Sequence, residues 1–165
     1  MKLQYQGDSE CALATIAMLA DVPLEEVRKV ALEAAGVSEW NNLMFTDTSS
    51  IEKYFQGIDA CIDRWKIPFL DNSTRKKLLN NPYIDCIDTG EKVAKKYVKE
   101  RCIACADLSG RGHLSINYGR HGGHSVAFEN GIIYDGGQIS PMRYKQWLEL
   151  QFIRHHNIKF VLVAK

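Results

Sequence analysis

Ten residues from Cys11 to Ala20 are apolar at every position except Thr15, and no polar face interrupts the run. A surface helix shows a stripe of apolar residues, so a helix that is apolar on all sides is one enclosed by other elements. Asp8-Ser9-Glu10 precedes it with residue types that cap helix starts, which predicts a buried helix opening at Cys11. Pro23 opens a second helix, with Leu24, Val27, Val30, Ala31 and Ala34 at helical spacing and Gly36 at its end. Thr46-Asp47-Thr48 begins a third, with Ile51, Tyr54 and Phe55 on one face and Gly57 at its end. Ser73 to Leu79 and Glu91 to Lys99 read as shorter, more polar helices.

The second half changes period. Cys102 to Leu108, Ser125 to Phe128, Ile132 to Tyr134 and Phe160 to Val163 are strand candidates. Asn130-Gly131 between two of these runs is a strong hairpin signal. Helices first and antiparallel strands later predict an α+β fold, with the helical part packed on a C-terminal sheet. No repeat or linker divides the 165 residues, so the expectation is one domain over 1–165.

Composition narrows the function classes. A formal net charge of +1 gives no basic footprint for nucleic acid or a membrane surface. The Cys11–Ala20 run is too short to span a bilayer, and its acidic flank is unlike that of a signal peptide. Five cysteines form an odd set without framework spacing, which points to reduced thiols in the cytoplasm. Cys102 and Cys105 make a CxxC, but a zinc site wants a second pair or spaced histidines, and His113 stands alone. With Ile103, Ala104 and Ala106 around them, they read as core thiols in a strand, and neither a metal nor another cofactor is expected.

One thiol is placed for chemistry. A helix N-terminus favours a thiolate through its partial positive charge and unpaired N–H groups, and Cys11 occupies such a position. The competing reading makes Cys11 simply the first core residue of its helix. A two-residue turn at Asn130-Gly131 sets Glu129 opposite Ile132, Phe128 opposite Ile133 and Ala127 opposite Tyr134. Alternation then puts His124, Val126 and Phe128 on one face with Ile133 and Asp135. His124 and Asp135 become diagonal neighbours, roughly 5–8 Å apart between Cβ atoms, where a carboxylate can orient an imidazole. Against this stands a hairpin with an incidental His and Asp at its ends. Gly122-Gly123 and Gly136-Gly137 allow close approach of backbone or substrate, or are plain turn residues. Of the other histidines, His113 falls in a flexible loop after Gly110-Arg111-Gly112, and His121 beside Arg120 is on the surface. His155-His156 lacks an acidic partner at ligand spacing, which favours solvation over metal binding.

The order Cys, His, Asp resembles papain-like cysteine peptidases, above all the bacteriocin-leader (double-glycine) peptidase family and its free-standing relatives. The resemblance is carried by Gln4 to Leu19 and by Gly123 to Phe128 through Ile133-Tyr134-Asp135, roughly a fifth of the chain. It implies Cys11 as nucleophile, His124 as general base, Asp135 as its orienting carboxylate, and an upstream Gln donating to the oxyanion. In the family that Gln stands six residues before a Cys-Gly; here Tyr5 holds the position between Gln4 and Gln6, and Ala12 replaces the glycine. Gln6 is preferred over Gln4 for the role. The implied activity is cleavage of a peptide or isopeptide bond in a peptide or protein substrate through a thioester. Alternatives are a deamidase or transglutaminase using the same residues, and a catalytically silent papain-like fold that binds a protein partner. A CxxC redox protein would need Cys102 exposed at a helix start, which the strand pattern opposes.

Overall fold

The apolar run at Cys11 forms the central helix of the molecule. A computed structural model describes residues 1–43, 47–69, 87–88, 108–118, 123–155, 158 and 160–165. Helix α1 spans Cys11–Ala20, and every side chain from Ala12 to Leu19 is buried. It packs on one side against the sheet and on the other against helices α2 (Leu24–Ala35) and α3 (Thr48–Trp65). Alanines at 12, 14 and 17 keep the helix thin enough for neighbours to close on it from both sides. Helix α2 buries Leu24, Val27, Ala31 and Ala35 along one stripe and ends at Gly36, whose φ of 67° is the left-handed cap glycine favours.

Helix α3 starts where expected, with the Asp47 carboxylate accepting from the Ser50 N–H at 2.8 Å. It does not end at Gly57 but runs on to Trp65. Gly57 serves a helix crossing instead. A Cβ there would stand 2.9 Å from the Ala31 carbonyl oxygen of α2 and 2.7 Å from the Trp40 ring.

The strands are β1 (Ile87–Asp88), β2 (Arg111–Asn117), β3 (Gly123–Glu129), β4 (Ile132–Tyr134), β5 (Met142–Arg143) and β6 (Phe160–Ala164). They form one antiparallel sheet in the order β1-β6-β2-β3-β4-β5. The β3–β4 hairpin pairs Glu129 with Ile132, Phe128 with Ile133 and Ala127 with Tyr134, the register read from the turn. Asn130 and Gly131 have φ of 49° and 79°, both left-handed, as a two-residue turn of this twist requires.

Two elements depart from expectation. His113, expected in a flexible loop with Gly110-Arg111-Gly112, instead lies in β2, Arg111–Asn117, at the centre of the sheet. His113 is fully buried there, stacked on Phe69 at 3.8 Å between centroids, with Nε2 3.2 Å from the Ser125 hydroxyl. Gly112 is required by packing, because an added Cβ would run into the Ala164 carbonyl and the Phe128 ring. The second departure is a fourth helix, α4 (Tyr144–Arg154), inserted between β5 and β6. Its Tyr144, Trp147 and Leu148 pack with Leu114, Ile116, Val126, Phe128 and Ile133, while Ala127 joins the α1 cluster. The sheet therefore carries helices on both faces, and alternation along β3 sends successive side chains to opposite cores. The expected helices at 73–79 and 91–99, the strand through Cys102 and Cys105, and His121, Gly122 and His156 lie outside the described residues. Leu108 is buried but belongs to no strand.

Candidate active site

The nucleophile candidate is held by the turn that precedes it. Ser9 adopts φ 61°, and the Glu10 N–H reaches the Gly7 carbonyl at 3.3 Å, closing residues 7–10 into a tight turn before Cys11. The capping cluster does not cap. Glu10 sits at the cap position, and no side chain bonds the first amides of α1. Glu10 is buried, and its carboxylate instead accepts from the Gly7 N–H at 2.9 Å and from Arg28 of α2, Nε at 2.6 Å and Nη2 at 3.0 Å. This two-pronged clamp ties the loop to α2 and neutralises the charge beside the thiol. The positive end of α1 is thereby left to the Cys11 sulfur, which receives hydrogen bonds from the backbone of Ala12 and Ser125.

His124 is the second residue of β3, beyond the stretch paired with β4, so its ring stands at the end of the sheet next to Cys11. Its Nε2 lies 2.8 Å from Asp135 Oδ1, which leaves Nδ1 for the Cys11 sulfur. Asp135 follows β4 directly and is 2% exposed. Its Oδ1 also accepts from the Gly137 N–H at 2.9 Å, and its Oδ2 from Trp147 Nε1 at 2.8 Å. The diagonal pair read from the hairpin is in place. Sequence reasoning missed Trp147. Its signal was available: Tyr144, Trp147, Leu148 and Gln151 are a helical stripe, all buried.

The electrostatics follow from this contact set. Burial acts to push the Cys11 thiol up, but the His124 hydrogen bond, its charge and the Ser125 and Ala12 backbone groups outweigh it, and the pKa is lowered. Burial opposes a charge on His124 too. Hydrogen bonds to Asp135 and Cys11 and their charges prevail, and its pKa is pushed up to about 10. Burial likewise resists ionisation of Asp135, yet His124, Trp147 and Gly137 hold the carboxyl below its usual range. The three groups thus favour thiolate, imidazolium and carboxylate together.

The two glutamines separate cleanly. Gln4 is consumed by the α1–α2 connection, where its Nε2 donates to the Val22 carbonyl at 2.5 Å and its Oε1 accepts from the Leu24 N–H at 2.7 Å. Gln6 lies on the Asp135 side of the site. Its N–H donates to the Gly136 carbonyl at 3.1 Å, and its side chain rests on Gly136 and Gly137. A Cβ on Gly136 would come 2.8 Å from the Gln4 carbonyl oxygen and 3.1 Å from Gln6 Oε1, so glycine is what admits this strand of chain. Gln6 Oε1 is buried without a hydrogen-bond partner among the described residues.

A pocket of about 280 Å³ opens beside the imidazole, with Gly123, His124 and Asp135 on one side and Gln151 and Arg154 of α4 on the other. His155 stacks on Tyr118 at 3.9 Å, and the Tyr118 hydroxyl donates to Gln151 Oε1 at 2.9 Å. Among the described residues no group of three His, Cys, Asp or Glu side chains could hold a metal ion. No described helix is long and apolar enough to cross a membrane. No protein-family model matches the chain, and no significant match was found among curated proteins or solved structures.

Proposed function

We propose that the protein is a papain-like cysteine hydrolase that cleaves a peptide or isopeptide bond. The observation that carries the reading is the meeting of Cys11 at a helix start with His124, whose other ring nitrogen is held by the buried Asp135. A thiolate beside an imidazolium and a fixed carboxylate is the equipment of acyl transfer. The Cys11 thiolate attacks the carbonyl carbon, and the oxyanion forms near the Cys11 backbone N–H and the Gln6 amide. The tetrahedral intermediate collapses, the C–N bond breaks, and His124 gives its proton to the departing amine. A water molecule, deprotonated by the now neutral His124, attacks the thioester and releases the acid with the thiolate restored. Asp135 keeps the ring turned so that Nδ1 serves the sulfur throughout. A free thiol nucleophile works in a reducing compartment, in keeping with a cytoplasmic location.

The test is a digest of a mixed peptide library, read by mass spectrometry, with parent and Cys11→Ala side by side. Cleavage by the parent alone supports the reading. No cleavage of peptide, ester or amide by the parent, together with strong destabilisation of Cys11→Ala, makes Cys11 a core residue and removes the hydrolase.

A further inference from the structure

We infer that the pocket beside His124 binds a carboxylate carried by the residue on the leaving-group side of the scissile bond. The inference rests on the hydrolase reading and adds the substrate class. Position comes first. The pocket wall includes His124 but not Cys11. The group that departs must take its proton from the imidazole, so the leaving amine and what it carries lie on the imidazole side of the thiol. A pocket that borders the ring and not the sulfur is therefore on the leaving-group side.

Its chemistry selects an acceptor. Gln151 is 3% exposed and spends its carbonyl oxygen on the Tyr118 hydroxyl, so its side-chain N–H groups are what it offers the pocket. Arg154 ends α4 at the mouth, and no described carboxylate pairs with its guanidinium. The one acid in the wall, Asp135, already has both oxygens engaged by His124, Gly137 and Trp147. His124, Asp135 and the Cys11 thiolate are committed to one another, so Arg154 is the charge left to a ligand. A guanidinium with no described carboxylate partner, beside side-chain amide N–H groups, suits an anion with planar oxygens. The volume of about 280 Å³ falls just below the roughly 300–1,000 Å³ of ordinary ligand pockets, which fits one residue rather than an extended chain. Such a carboxylate is either the C-terminus of a peptide whose last residue is being removed or the side chain of an acidic residue after the cleaved bond.

Three acetylated peptide libraries distinguish the sources: neutral peptides with a free C-terminal acid, the same peptides amidated, and amidated peptides ending in Asp or Glu. Binding is measured calorimetrically to full-length Cys11→Ala, and cleavage with the parent. The expected result is that at least one carboxylate library binds about fivefold or more tighter than the neutral amides. Arg154→Gln should erase that preference, Arg154→Lys should keep part of it, and added salt should shrink it. Preference for the free acid identifies the chain terminus, and preference for the acidic amides identifies the side chain. Equal binding of all three, or a preference that Arg154→Gln leaves intact, overturns the pocket assignment whether or not the parent cleaves. A preference that depends on Arg154, with no cleavage of any library, overturns the hydrolase reading alone.

Discussion

The two thiols among the described residues, Cys11 and Cys61, sit in two differently built regions. Cys61 lies in the α2–α3 interface with no exposed surface, and its Sγ donates to the Val27 carbonyl at 3.7 Å. Burial disfavours the thiolate and outweighs the opposing charge of Arg64, pushing the Cys61 pKa up to about 12. Cys11 is held where α1 begins, beside Ser125 of β3, and burial resists ionisation there as well. What reverses the outcome is the company: an imidazole, two backbone groups and the positive end of a helix. Burial alone makes a thiol inert. Burial among donors favours the thiolate.

The largest expected effect separates the two directly. Cys11→Ala should lower turnover by a factor on the order of 10⁴ or more, because nucleophile and base act as a unit. It should unfold within about 1 kcal/mol of the parent. Cys61→Ala should do the reverse, leaving kcat/KM within about threefold while costing about 1–2 kcal/mol through the cavity it opens. Kinetics and urea melts on both variants check this, and a matched loss of activity in Cys61→Ala would erase the contrast.

Next comes the same comparison between the glutamines. Gln6→Ala should lower kcat by about 10²–10³, the usual cost of an oxyanion donor. Gln4→Ala should cost about 1–2 kcal/mol of stability, because the Leu24 N–H and Val22 carbonyl lose their partner, with kcat kept per folded molecule. Exchange of these two outcomes would move the oxyanion role to Gln4.

A smaller effect appears in the pH dependence of stability. Between 6.5 and 9.0, the ordinary values for imidazole and thiol, an unfolded chain keeps the shared proton on Cys11 and the folded chain keeps it on His124. The proton counts match, so the ion pair adds no slope there. Cys11→Ala removes the thiol from this balance. His124 then keeps only the Asp135 hydrogen bond and charge against burial, so its pKa falls from about 10. Wherever it still exceeds the ordinary 6.5, the folded chain holds the extra proton, and stability should fall as pH rises from 6.5 to that value, by up to about 1.4 kcal/mol per unit. Cys61 adds a further loss above 9.0 in both chains, since its folded pKa is near 12. Urea titrations from pH 6.5 to 9.0 should show a level parent and a Cys11→Ala that declines over the lower part of the range. Parallel curves would break the assignment of the proton to His124.

How much of this was legible follows from the range of the interactions. The α1 boundaries and the hairpin register were readable because an all-apolar run and an Asn-Gly turn each act within a few residues. From these, the His124–Asp135 pair followed by alternation alone. The strand β2 was not readable. Its Leu114 and Ile116 alternate with His113 and Ser115, which are buried only because Phe69 and Ser125 arrive from distant segments. Gly57 misled for the same reason, since its lack of a side chain is used by Trp40 and α2 rather than by the local chain. Glu10 read as a cap because its partner Arg28 lies a whole helix away. Trp147 is of the same kind, a donor whose acceptor lies 12 residues back along the chain.

The most direct test of the contrast between Cys11 and Cys61 is competitive alkylation of the intact, folded chain with iodoacetamide at pH 6, read cysteine by cysteine by mass spectrometry. The expected result is that Cys11 is labelled first and far faster than in the unfolded chain, Cys61 is not labelled until the chain unfolds, and His124→Ala slows Cys11 at least about tenfold. Labelling of Cys11 at the unfolded-chain rate, unchanged by His124→Ala, or modification of another cysteine before it, would contradict the thiolate–imidazolium pair on which the proposed chemistry depends.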